Sequence, residues 1–370
     1  YLCEPMELLC RYGGDEFALL VSRPLTGSRL LKFVEDVTEA LQKPFHYANT
    51  DVQCGASVGV RRIESHSGDV TTLMKEADLA LFAAKSSGRG VWKEYSESFK
   101  ARVRGQRELA NDLAKAIESD TLNLQFQPIV DAGSGAVVGV EALSRWYHPV
   151  RGTVAPSEFI PIAEDQGIII SLGDRVVEHA INATLEMPED TKVGINVSPL
   201  QLHSSRLLSL ISRKLEETKI DPNRIELEIT ESVFLSDNAF ILDRLRKLKD
   251  LGLRIAMDDF GTGFSSLAYL QRFPFDQLKL DQTFVRGIET SDQSRAIARA
   301  TISMAHALNL TVTAEGVESD VQAQFLRDHG CDELQGYLFS RPQDQSALIP
   351  YLRSMQLVQE TRATPPANVV

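Results

Sequence analysis

The chain has 370 residues, 43% of them hydrophobic, and a formal net charge of −12. That length holds about two domains of roughly 100–200 residues each, and the apolar content excludes a disordered polypeptide. The acidic balance disfavours non-specific binding of DNA or RNA, and without a run of ~18 apolar residues or a secretory leader, no membrane span is expected and the expected location is the cytoplasm.

The chain enters a strand almost at once, as expected of a piece cut from a larger protein. ELLCRY and FALLVS flank Gly13-Gly14-Asp15-Glu16, a hairpin signal. Residues 27–42 have helical periodicity, 52–62 read as a strand, and 71–86 read as a helix stopped by Gly88. Residues 1–95 therefore form a small α/β unit. The segment 96–119 is a long, polar amphipathic helix that connects it to the next domain. From residue 120 the texture changes. Eight strand-like runs follow, at 124–130, 137–146, 192–199, 224–232, 254–261, 277–285, 310–318 and 331–339. Helical patterns lie between most of them, at 157–187, 200–217, 237–251, 291–309 and 319–329. Strands alternating with helices over this length predict an α/β fold whose C-terminal part is a (β/α)8 barrel of the TIM type. The tail at 358–370 is expected to be disordered.

Polar residues fall in register where these runs end. They are Glu141, then Asn196, then Glu228 and Glu231, then the adjacent pair Asp258 and Asp259, then Lys279 and Asp281, then Glu315 and Glu318, and last Gln335. Each has a bland reading. A Glu at a strand end is usually solvated, Asn196 could cap the next helix, Asp258-Asp259 before two glycines could be a turn, and Lys279 could be a structural ion pair. All of them would have to hold at once, strand after strand. Converging carboxylates repel one another and resist burial unless cations compensate. All-oxygen ligands point to Mg2+ or Mn2+ rather than zinc, and the four scattered cysteines, Cys3, Cys10, Cys54 and Cys331, offer no CxxC pair. Two adjacent aspartates suit two ions. Such a pair, about 3.5–4 Å apart, clamps the attacking and leaving oxygens of a phosphodiester.

These residues carry a resemblance. Gly13-Gly14-Asp15-Glu16-Phe17 is similar to the signature of diguanylate cyclase domains, and Glu141-Ala142-Leu143 to that of cyclic-di-GMP phosphodiesterase domains. The chain resembles bacterial GGDEF–EAL tandem proteins. The second likeness covers about 104–357 and includes FQPIV, EALSRW, FIPIAE, NVSP, ELEITES, DDFGTGFSSL, KLDQTFV, AEGVE and QGYLFSRP, in family order. Ser144 and Phe264 depart mildly from the usual Leu and Tyr.

The resemblance implies hydrolysis of cyclic di-GMP to linear pGpG with two ions of Mg2+ or Mn2+. It implies that Glu141, Asn196, Glu228 and Asp258 bind one ion and Asp259 the second, with bridging of the two by Asp259 left open. Glu231 would anchor the DDFGTG loop, and Lys279 would hold and help activate the hydrolytic water. Glu315 would be general base or second-metal ligand, an alternative left open. Arg145 would contact a substrate phosphate, beside Leu143 of the signature, and Gln335 with Glu318 would seat the dinucleotide. A first barrel strand antiparallel to the rest, a homodimer and an upstream sensory part are implied in the same way.

In the first domain Asp15 and Glu16 match metal positions of cyclases, and Lys85 and Arg89 match triphosphate contacts. A favourable interaction with a helix C-terminus is the bland reading of that basic pair. GTP bound there in the intact parent would regulate the phosphodiesterase. The family's other metal-binding Asp and its guanine-binding residues would lie before Tyr1, so the chain as given is not expected to make cyclic di-GMP. The product-inhibition motif is replaced by Glu4 and Glu7. The rival readings are a non-cleaving cyclic-di-GMP receptor and a parent that acts mainly as a cyclase. Receptors of this type usually lack an acid or the DDFGTG loop, and this chain has all of them.

Overall fold

A computed structural model of the chain describes residues 7–47, 50–52, 54–63, 69–87, 90–231, 233, 238–261, 270 and 272–363. Two compact units divide it, Tyr1–Leu109 and Ala110–Val370.

In the first unit the expected hairpin is present. β1 (Leu8–Gly13) pairs antiparallel with β2 (Glu16–Leu20), and the turn is held by the Arg11 guanidinium, which donates twice to the Gly14 carbonyl at 2.7 and 2.9 Å. The stretch 52–62 is not one strand. β3 (Phe45–Tyr47) pairs antiparallel with β4 (Thr50–Val52), and β5 (Val58–Val60) pairs parallel with β6 (Trp92–Glu94). The helices Ser28–Gln42 and Val70–Ser86 match their patterns. The second is started by the Asp69 carboxylate, which accepts from the Thr72 backbone N–H. A single helix, Glu97–Glu118, occupies the polar amphipathic stretch.

The second unit is a closed barrel. Its eight staves are β7 (Asn123–Asp131), β8 (Val137–His148), β10 (Lys192–Val197), β11 (Ile225–Thr230), β12 (Arg254–Phe260), β13 (Gln277–Leu280), β14 (Thr311–Ala314) and β15 (Glu333–Gln335). β8 and β10 through β15 run parallel, and β7 closes the ring antiparallel to both neighbours. Two short strands extend the rim, β9 (Gly152–Val154) on β8 and β16 (Gln343–Asp344) on β7.

Several elements are shorter than their apolar patterns. Residues 281–285 leave the sheet because the Asp281 side chain accepts from the Thr283 backbone N–H and starts the helix Gln282–Arg286. The helix expected at 157–187 is two, Pro156–Asp165 and Ile169–Thr184, separated by Gly167 at φ 70°. That expected at 200–217 is also two, Pro199–His203 and Arg206–Thr218. The last helix, Gln345–Ala363, continues through residues 358–363, against the expectation of disorder there; 364–370 lie outside the described residues. No helix among the described residues is long and apolar enough to cross a membrane.

Strand alternation decides what the barrel encloses. Val193, Ile195, Leu227, Ile229, Ile255, Leu278 and Val312 are fully or almost fully buried. Each such side chain contributes about 1.5–3 kcal/mol by leaving water. Between them stand residues of the opposite face, and these are polar. Lys192 Nζ reaches Glu333 Oε1 at 3.1 Å although β10 and β15 are not neighbours, so both point into the lumen. Glu333 Oε2 accepts from Gln277 Nε2 and Thr313 Oγ1, and Arg254 bonds Glu226 and Gln277. This deep layer holds two acids and two bases, and it is balanced in charge.

Candidate active site

The layer above it is not balanced. It begins with Asp258-Asp259. In a regular strand adjacent side chains face opposite sides. Here β12 carries a register shift between Met257 and Phe260, and Asp259 sits at φ 55°, a left-handed backbone that Asp tolerates better than most residues. The bulge turns both aspartates the same way. Carboxylate oxygens of Asp258, Asp259 and Glu315 all lie within 4.8 Å of one another, and together they could hold a metal ion.

At the centre of the layer stands Lys279, 1% exposed. Its ammonium lies 2.5 Å from Glu228 Oε2, 2.7 Å from Glu315 Oε1, 3.4 Å from Asp258 Oδ1 and 3.7 Å from Glu141 Oε2. Glu141 is fixed from both sides: Asn196 Nδ2 donates to its Oε1 and Gln335 Nε2 to its Oε2, each at 2.6 Å. Asn196 is free for this because Ser198, not Asn196, caps the helix Pro199–His203 with a reciprocal Gln201 contact. The register places Asn196 beside Glu228 across β10 and β11. Gly194, on the same face, makes the room: a Cβ there would lie 2.1 Å from Glu228 Oε1. Gly194→Ala is therefore expected to push Glu228 off Lys279 and weaken Mn2+ binding roughly 10–100-fold with the barrel intact, as titration and circular dichroism would show.

Burial and mutual repulsion set the electrostatics. Burial pushes the Glu228 carboxyl well above its usual range, and Glu315 up to about 8. Burial, then neighbouring Asp258 and Asp281, take Asp259 to about 6. Glu141 moves the other way, because Lys279, Gln335 and Asn196 outweigh its burial. Burial alone would lower Lys279, but Asp258, Glu141, Glu228 and Glu315 together hold it well above its ordinary value. Four carboxylates thus share one ammonium, and Asp259 adds a fifth to the layer. Among the described residues Glu228 Oε1 and Gln335 Oε1 are buried without a hydrogen-bond donor, and Asp258 Oδ1 has only the Lys279 ammonium at 3.4 Å. Excess negative charge and donorless oxygens in one layer fit hard divalent cations, and the donor set is oxygen throughout.

A pH dependence follows. Glu315 and Asp259 are raised in the folded chain, so the fold favours their protonated forms. Their contribution to stability is complete below the unfolded values and is lost as pH rises through about 6 and then about 8. A divalent ion favours the ionised forms instead. The Tm gained on adding Mn2+ to chelator-treated protein is expected to be larger near pH 8 than near pH 5.5. Thermal unfolding across that range checks this; a gain independent of pH would contradict it.

The model of the EAL domain family matches residues 110–342. The chain belongs to the EAL domain family. The model described as "Diguanylate cyclase, GGDEF domain" matches residues 2–91, so the chain is a GGDEF–EAL tandem. It is 42% identical over 342 residues to an uncharacterized signaling protein of Caulobacter vibrioides, covering 91% of this chain and 42% of that one. It is 36% identical to the cyclic di-GMP phosphodiesterase PdeR of Escherichia coli, covering 91% of this chain and 51% of the relative. The structure of the MucR phosphodiesterase in complex with c-di-GMP superposes with a TM-score of 0.63 at 37% identity, covering 65% of this chain and 99% of that one. The chain spans about half the length of these curated relatives.

Glu141 is not at a strand end; β8 runs on to His148, so Leu143 and Arg145 follow on the same face, nearer the rim. Arg145 is half-buried and donates to Gln125 Oε1 at 2.8 Å and to the Ser144 carbonyl. Glu231 is buried just after β11, but the loop expected to lean on it lies at 262–269, outside the described residues. Gln335 and Glu318, expected to act together, are apart in environment. Gln335 is buried on Glu141, whereas Glu318 is exposed and pairs with Arg286 at 3.4 Å. Gln127, buried opposite Glu141 on β7, is missed by a reading that looks only at strand ends. The alternation in FQPIV, which puts Gln127 on the lumen face, is the signal for it. In the GGDEF portion Lys85 lies in the last turn of its helix, as the helix-end reading also expects, and reaches Glu16 at 3.5 Å. Asp15 is exposed in the turn, and Arg89 lies outside the described residues.

Proposed function

We propose that this chain hydrolyses cyclic di-GMP to linear pGpG. The observation that carries the proposal is the buried Lys279 ringed by Glu141, Glu228, Asp258 and Glu315, with donorless oxygens beside it. Relatives named as cyclic di-GMP phosphodiesterases support the substrate.

Glu141, Asn196, Glu228 and Asp258 would hold one Mg2+ or Mn2+, and Asp259 a second. Ions bound there would polarise the phosphoryl group and bring a bound water's pKa toward neutrality. The remaining work falls to the chain's own residues. Lys279, held protonated by the carboxylates around it, would orient the attacking water by donating to it. Glu315, whose carboxyl burial pushes up to about 8, would either take the water's proton or serve as a ligand to the second ion. Arg145, at the rim, would meet a phosphate with its planar fork of donors, next to Leu143. Gln335 presents a buried carbonyl oxygen to the dinucleotide. Glu318, which pairs with Arg286, would help Gln335 to seat it.

The test is direct. Purified chain, cyclic di-GMP and Mg2+ are expected to yield pGpG by chromatography. Dinucleotide bound but uncleaved would establish the receptor reading instead. In the intact parent, an upstream input, a homodimer and GTP on Asp15, Glu16, Lys85 and Arg89 are proposed to govern the rate. GTP is expected to raise hydrolysis by the intact parent, and Lys85→Ala to abolish that response.

A further inference from the structure

The donorless oxygen of Gln335 has a cause one residue further out. Gln127 and Gln335 are both buried, 8% and 4% exposed. Gln127 Nε2 donates to the Ser340 carbonyl at 3.1 Å. A backbone carbonyl can only accept, so the Gln127 amide nitrogen must face it. Gln127 Oε1 is thereby turned toward Gln335, 3.2 Å from Gln335 Nε2. That contact, and the carboxylate of Glu141 at 2.6 Å on the other side, both demand a donor. The Gln335 amide therefore has only one admissible orientation. Its nitrogen bridges Gln127 and Glu141, and its oxygen is left buried with no donor among the described residues. An acceptor-only group stands at each end of the relay, Ser340 carbonyl and Glu141 carboxylate, and these set its direction.

We propose that Gln127 is a positioning residue for the EAL site. It orients Gln335, and through it the Glu141 carboxylate, from the strand that runs antiparallel to the other staves. Asn196 holds Glu141 Oε1 without any such relay, so the Gln127 route governs the Oε2 side alone. The inference rests on the metal reading of the site, because its consequence is a carboxylate pre-set for a divalent ion and an amide oxygen aimed at the bound ligand.

The experiment is a double-mutant cycle read by Mn2+ titration of the full chain, with thermal unfolding alongside. Gln127→Met removes the acceptor but keeps the volume, and is expected to weaken Mn2+ binding roughly tenfold, the lower end for a residue that supports a ligand. Gln335→Met is expected to weaken it comparably. If Gln127 acts through Gln335, the double variant binds Mn2+ as the Gln335→Met variant does, with no further loss. Gln127→Glu keeps the acceptor toward Gln335 but sets a carboxylate against the Ser340 carbonyl; it is expected to lower Tm more than Gln127→Met does while losing less Mn2+ affinity. Additive losses in the cycle would overturn the relay. So would a Gln127→Met chain of lowered Tm and unchanged Mn2+ affinity, which would mark Gln127 as merely structural. If the wild-type chain binds no Mn2+, the metal reading itself fails, and the proposal with it.

Discussion

Glu141→Ala is expected to slow hydrolysis of cyclic di-GMP by about 10³-fold or more, the scale at which an electrostatic contact to the reacting group is lost. The fold should survive. Glu141 is one of four carboxylates around Lys279, and its removal relieves repulsion in a layer already short of positive charge. Asn196 Nδ2 and Gln335 Nε2 lose their shared acceptor, a cost of about 1–3 kcal/mol that the relieved repulsion partly offsets. The distinguishing measurement is therefore thermal. Without divalent ions Glu141→Ala and wild type should unfold at similar temperatures; with Mn2+ only the wild type should gain markedly. A variant that keeps near-normal turnover would remove Glu141 from the site.

Lys279→Met should behave in the opposite way. The ammonium is the group that makes this layer tolerable without metal, and it is buried under four carboxylates. Taking one partner out of a buried charge network costs about 3–5 kcal/mol. Chelator-treated Lys279→Met is expected to unfold well below wild type, and Mn2+ should recover more stability in the variant than in wild type. Turnover should fall by about 10²–10³-fold while dinucleotide binding persists, because the lysine serves the water rather than the bases. Unfolding at the wild-type temperature in chelator would mean that the carboxyls are already neutralised by protons. Loss of binding with turnover preserved at saturation would move Lys279 from chemistry to recognition.

Much of the site is legible in the sequence because strand alternation is a local property. Period-two patterns in RIELEIT, RIAMD and QLKL are enough to place Glu228, Asp258 and Lys279 on a common face. Element ends are where local patterns mislead. Asp281 and Ser198 each start a short helix by hydrogen-bonding a nearby backbone N–H, and in doing so they shorten the strand at 277–285 and release Asn196 toward Glu141. Glu318 follows β14 and Gln335 ends β15, yet one lies exposed on Arg286 and the other buried on Glu141.

By itself the sequence determined the alternating strands and helices, the polar lumen face and the set of acids gathered on it, since each depends on residues a few positions apart. Only the tertiary structure decided that Asp258 and Asp259 face the same way, that Lys279 lies under four carboxylates, and that Gln127 orients Gln335. The reason is physical. A bulge is defined by the register of a neighbouring strand, and a buried charge by partners that arrive from distant segments once the barrel closes.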